Sequence, residues 1–108
     1  MSIRLDKKWV SKDEAMLSLR GNLGVYQLAD ASQQILFIGY AGGKSLFGLK
    51  GEILAALQDH PTASLVRWEV TSAYMSRYKE ILMVHRHDHH ELPPANTAIP
   101  LGQLSPAG

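Results

Sequence analysis

Apolar and polar positions alternate along the chain in blocks that change period several times. Ala15, Met16, Leu17 and Leu19 form an apolar side behind Ser11 and Glu14. A serine with a glutamate three residues on fits a capping box, so a short helix is expected over about residues 12 to 20, with Gly21 as its C-cap. Leu23, Val25 and Leu28, then Ile35 to Ile38, flank the polar link Ala29 to Gln34. Two apolar runs joined by such a link read as a β-hairpin, with Tyr26 and Phe37 on one face. Leu46, Phe47, Leu49, Ile53, Leu54 and Leu57 then recur at helical spacing, and the helix is expected to stop before His60-Pro61. Ser64 to Val70 alternates as a strand does, with Leu65, Arg67 and Glu69 on one face and Trp68 on the core side. A last helix is expected from Thr71-Ser72, with Tyr74, Met75, Tyr78, Ile81, Leu82 and His85 as its inner stripe.

This order predicts a small α+β fold: a three-stranded antiparallel sheet, made of the hairpin plus one strand, flanked by helices. Residues 1–21 are expected as a helical lead-in, 22–96 as the domain proper, and 97–108 as a Pro- and Gly-rich tail. Trp9 reads as a packing anchor.

Composition narrows the chemistry. The 108 residues suffice for one core. A formal charge of +1 supplies no basic footprint for nucleic acid, although charge can be unevenly distributed. The absence of cysteine excludes disulfides, thiolate zinc sites and cysteine nucleophiles. No apolar run approaches the roughly 20 residues of a membrane span, and Met1 to Lys8 lacks a signal peptide's apolar centre. A cytoplasmic protein is the expectation.

Certain short motifs carry a more specific signal. Gly24-Val25-Tyr26 is followed, ten residues on, by Phe37-Ile38-Gly39; Glu80 leads an apolar helical run, and Pro93-Pro94-Ala95-Asn96 closes the segment. Together, over about residues 22 to 96, these resemble the GIY-YIG nuclease domain of excision-repair and homing endonucleases. The resemblance implies a metal-dependent endonuclease acting on DNA or another nucleic acid. It implies that Tyr26 acts on or near the attacking water, that Glu80 holds one divalent ion (Mg2+ or Mn2+), and that Asn96 ties the site together. A hard cation of this kind takes oxygen ligands and lowers the pKa of a bound water.

The departures qualify that expectation. The family's arginine should fall near Phe47 to Leu49, where none occurs, and Lys50 is the nearest cation. A lysine offers a point charge in place of a planar fork. Phe37 lacks the hydroxyl of the family's second tyrosine, although Tyr40 lies three residues on. Losing one preorganised transition-state donor costs several kcal/mol, so the expected activity is weak or lost. The alternative is a non-catalytic nucleic-acid or protein interaction module. A nuclease predicts a cleft where Tyr26, Glu80 and a cation converge; an interaction module predicts Tyr26 and Glu80 engaged in packing or ion pairs. Arg77, three residues before Glu80, is the natural ion-pair partner and a candidate replacement cation.

Two further patterns bear on function. Gly39 to Ser45 is one residue short of a phosphate loop, and no second nucleotide motif supports it. His85, His87, His89 and His90 read first as a basic helix end suited to the macrodipole. A histidine metal protein would need three imidazoles converging on one ion at about 2.0–2.1 Å.

Overall fold

The computed structural model describes Leu5 and residues 7–96. The elements run β1 (Val10–Ser11), α1 (Lys12–Ser18), β2 (Gly24–Ala29), β3 (Ile35–Ala41), α2 (Gly48–Asp59), β4 (Leu65–Val70) and α3 (Tyr74–His89), closed by a 3-10 turn at Pro94–Asn96. The α+β class and the order of the main elements match expectation. Among the described residues the sheet has four strands, in the order β1-β4-β2-β3, with each pair antiparallel. The additional strand comes from the segment read as a lead-in, where Val10 pairs with Val66. Two residues are too few to show alternation, which is why the pattern hid it.

Local chemistry explains the connections. Ser11 caps α1 by accepting from Glu14 N–H, and the helix ends at Leu19 rather than at Gly21. Gly21 instead lies against Gly48, whose φ of +59° and lack of room suit only glycine. The hairpin link is held by Asp30, whose Oδ1 accepts from Ser32 N at 3.0 Å, Ser32 Oγ at 2.8 Å and Gln34 N at 3.0 Å. These bonds, the Ser32 hydroxyl above all, hold the Asp30 carboxyl below the usual carboxylate range. Gln33 completes the turn in the left-handed region at φ 69°.

Helices cover both faces of the sheet. Ala15, Leu19, Leu49 and Ile53 pack from α1 and α2 against Leu28 and Val66 on one side. Ile81 and Leu82 pack from α3 against Val25 and Ile38 on the other. Each fully buried leucine or isoleucine contributes about 1.5–3 kcal/mol. β2 is buried along its whole length, as a strand covered on both faces must be. The alternation of β4 is as expected: Arg67 and Glu69 share the α3 face with Gln27 and Val25, while Trp68 lies across from Tyr26. Trp68 is half-buried and packs against the core edge. Trp9 stacks on Arg67, whose guanidinium carbon lies 4.2 Å from the ring centre.

Strand β3 forms one edge of the sheet. Asn96 closes it: Asn96 Oδ1 accepts from Ile38 N–H at 2.8 Å, and its Nδ2 donates to Ile38 O at 3.0 Å. The carboxamide is fully buried, so one side chain imitates a neighbouring strand. The expected 97–108 tail lies outside the described residues.

Among the described residues no helix is long and apolar enough to cross a membrane.

Candidate functional site

A groove of about 1030 Å³ opens along β3, between the starts of α2 and α3. Six aromatic residues line it: Tyr26, Phe37, Tyr40, Phe47, Tyr74 and Tyr78. Gly39 makes the floor possible. It pairs with Tyr26 across the hairpin, and a Cβ there would overlap the Tyr26 ring. The phenol thus lies across the edge strand. Tyr26 and Phe37 share a face as expected, with ring centres 6.0 Å apart, and Phe37 stacks on His60 at 5.0 Å.

The other wall is built by Tyr40, Tyr74 and Tyr78. Tyr40 lies 5.8 Å from Tyr74, with the rings only 11° from parallel, and 4.8 Å from Tyr78. The glycine-rich loop is tied to this wall, because the Tyr74 hydroxyl accepts from Gly43 N–H at 3.2 Å. A Cβ at Gly42 would stand 2.6 Å from the same ring. The loop folds into a turn in which Ser45 N donates to Gly42 O and Gly42 N donates to Ser45 Oγ. Leu46 and Phe47, expected on the helical stripe of α2, precede the helix and stand exposed at the groove rim.

The groove is close to balanced in charge, since Lys44 and Glu52 are the charged residues among those that line it. Burial, reinforced by the neighbouring Glu52 carboxylate, pushes the Tyr26 phenol well above its ordinary value. Its ring is buried at the groove floor. Burial raises the Tyr78 phenol as well, with Tyr40 adding to the shift.

The sequence-derived site residues divide. Tyr26 and Tyr40 both line the groove. Lys50, Glu80 and Asn96 do not. Lys50 is exposed on α2, Asn96 is buried at the sheet edge, and Glu80 belongs to an ion cluster. Arg77 donates through Nη1 to Glu80 and through Nε to Glu69 at 3.0 Å. The expected Arg77–Glu80 pair is present, and Arg77 is well buried beneath it, its side chain 12% exposed. Arg77 does not line the groove, so it does not supply the cation missing from α2. Among the described residues no three His, Asp or Glu side chains converge as a metal-ion site, and the three-imidazole arrangement is not formed there.

Phe47, Glu52, Tyr74 and Tyr78 are among the groove residues that sequence reading does not single out as functional. Helical spacing puts Tyr74 and Tyr78 on the inner stripe of α3, and both are half-buried there. Their signal is chemical. Hydroxyl-bearing rings one turn apart at a helix start suit a surface wet on one side.

No curated protein and no solved structure matches this chain. A family described as a domain of unknown function (DUF7508) matches residues 3–88, the greater part of the sequence, and the chain belongs to that family.

Proposed function

We propose that this domain is a GIY-YIG-like module that binds single-stranded nucleic acid in the aromatic groove without cleaving it. The observation that carries the reading is the aromatic wall of one open groove, where Phe47 stands exposed at the rim, Phe37, Tyr40, Tyr74 and Tyr78 are half-buried, and Tyr26 is buried at the floor. Bases stack on aromatic faces regardless of sequence, each stacked base contributing about 1–3 kcal/mol. The residues assigned to cleavage by resemblance support binding rather than chemistry. Glu80 lies outside the groove with its carboxylate bound by Arg77, an arrangement that does not fit a magnesium ion beside Tyr26. Lys50 is likewise off the groove. Tyr26 forms the buried floor beneath the groove.

The charge of the groove gives this reading a signature. With Lys44 as the lining cation, about one phosphate is neutralised. The slope of log affinity against log salt is then about −0.7, the single-strand value for one contact.

Fluorescence anisotropy with labelled single-stranded DNA, single-stranded RNA and duplex tests the proposal. Single strands are expected to bind more tightly than duplex, with the shallow salt slope. Tyr40→Ala and Phe47→Ala should each weaken binding about fivefold or more, the equivalent of roughly 1 kcal/mol of lost stacking. Glu80→Ala should leave binding unchanged. No binding to any strand overturns the reading. Magnesium-dependent cleavage abolished by Glu80→Ala restores the nuclease.

A protein segment is a second reading, favoured by Leu46 at 90% and Phe47 at 72% exposure on the rim. Exposed apolar side chains beside a groove suit a partner's apolar anchors.

A further inference from the structure

A separate small cavity of about 120 Å³ lies on the α3 side of the sheet, away from the groove. His85 and His89 line it from α3, with Asp88 beside them and Gln27 and Arg67 opposite. The two histidines are four residues apart, so their side chains leave the same helix face.

The geometry points to a two-imidazole binding site, formed by His85 and His89, for a nitrogen-seeking divalent ion such as zinc or nickel. A metal–nitrogen bond of about 2.1 Å puts each ring centre about 3.2 Å from the ion, so bonds roughly 85–110° apart need ring centres about 4.3–5.2 Å apart. The His85 and His89 ring centres are 4.3 Å apart, with the planes tilted by 33°. That separation matches positions about 85° apart on a square-planar or octahedral ion such as nickel, whereas a tetrahedral zinc angle needs the ring centres to spread by about 0.9 Å. Water fills the remaining positions, and Asp88, on the same cavity wall, is placed to accept from such a water.

The surrounding charges allow the ion. Arg67, the cation on the cavity wall, is engaged by Gln27 at 2.6 Å, by Lys7 O at 3.3 Å and by the Trp9 ring. Asp88, on the same cavity wall, opposes the positive charge brought in. Imidazole nitrogen suits zinc, nickel and copper, whereas magnesium takes oxygen donors. This site is thus distinct in chemistry from the magnesium ion implied by resemblance at Glu80.

Calorimetric titration of the tag-free full chain with zinc chloride and nickel chloride near pH 7.5 is the test. One ion per chain is expected. His85→Ala and His89→Ala should each weaken binding at least about tenfold, since losing even outer-shell partners costs about 10–100-fold. The double variant His87→Ala/His90→Ala should bind as the parent does. A second measurement on the parent protein guards against misfolding of the His85 variant: nickel at less than one equivalent should broaden the imidazole proton resonances of His85 and His89 before those of His87. Absence of binding, or binding lost only in the His87/His90 variant, overturns the site. Magnesium displacing zinc overturns its assigned chemistry.

Discussion

Replacing Asn96 with alanine removes one side chain and strands two main-chain groups. Asn96 Oδ1 accepts from Ile38 N–H at 2.8 Å and Nδ2 donates to Ile38 O at 3.0 Å, in a fully buried setting. Each hydrogen bond contributes about 1 kcal/mol net, and each buried group left without a partner costs about 1–3 kcal/mol. Water entering the vacated space offsets part of this, so the expected loss is about 2–4 kcal/mol. Domains near this size lose some 4–8 °C of melting temperature per kcal/mol, which gives a drop of roughly 10–25 °C. Urea unfolding should show the loss as a shifted midpoint with unchanged slope. Asn96→Asp sharpens the test. The aspartate keeps the acceptor for Ile38 N–H but, when ionised, cannot donate to Ile38 O. Burial raises its pKa, so it regains a donor on protonation, and this variant should recover stability as pH falls toward 4. A loss below about 0.5 kcal/mol in Asn96→Ala would falsify the view that this carboxamide completes the sheet edge.

Three other outcomes follow from the geometry. Gly39→Ala forces the Tyr26 ring off its floor and should cost about 1–3 kcal/mol as overpacking; an unchanged melting curve and tyrosine near-ultraviolet signal would refute it. The Tyr26 phenol is raised from an ordinary value of 10.0, so above pH 10 the unfolded chain ionises first and stability falls as pH rises. Tyr26→Phe should lessen that alkaline loss, and identical pH profiles for the two proteins would count against it. Arg77→Met leaves the Glu69 and Glu80 carboxylates facing each other without their common partner. Because both are partly solvated, the expected cost is about 1–2 kcal/mol, rising at low salt, and a salt-independent effect in chemical denaturation would disprove the electrostatic account.

Long elements were legible because period and punctuation agreed. Ser11 with Glu14 marked the start of α1, and His60-Pro61 marked the end of α2. The β4 alternation set Arg67 and Glu69 on one face correctly. The start of α3 was less clear: Thr71 Oγ1 accepts from Ala73 N–H at 3.1 Å, and the helix itself begins at Tyr74. Its turn residues are recognisable, but their bond precedes the helix instead of capping it. β1 escaped because its place is fixed by pairing with Val66 and Leu65, distant in sequence. Of the residues singled out from sequence, Tyr26 and Tyr40 line the groove, from neighbouring strands and opposite faces of the hairpin. The placement of Glu80 was not legible, since helical spacing equally permits a groove ligand and a partner for Arg77. The local pair formed, as the i,i+3 geometry allows.

The Asn96 contact also bears on how copies of the chain meet. A sheet's outer strands offer unused pairing groups to any other extended segment, which invites strand exchange and fibre growth. Here one border is only two residues long, and the other has Ile38 already engaged by an asparagine side chain. The short strand and the carboxamide thus each occupy one stretch of a sheet border, and β3 itself carries no charged residue to deter pairing along the rest.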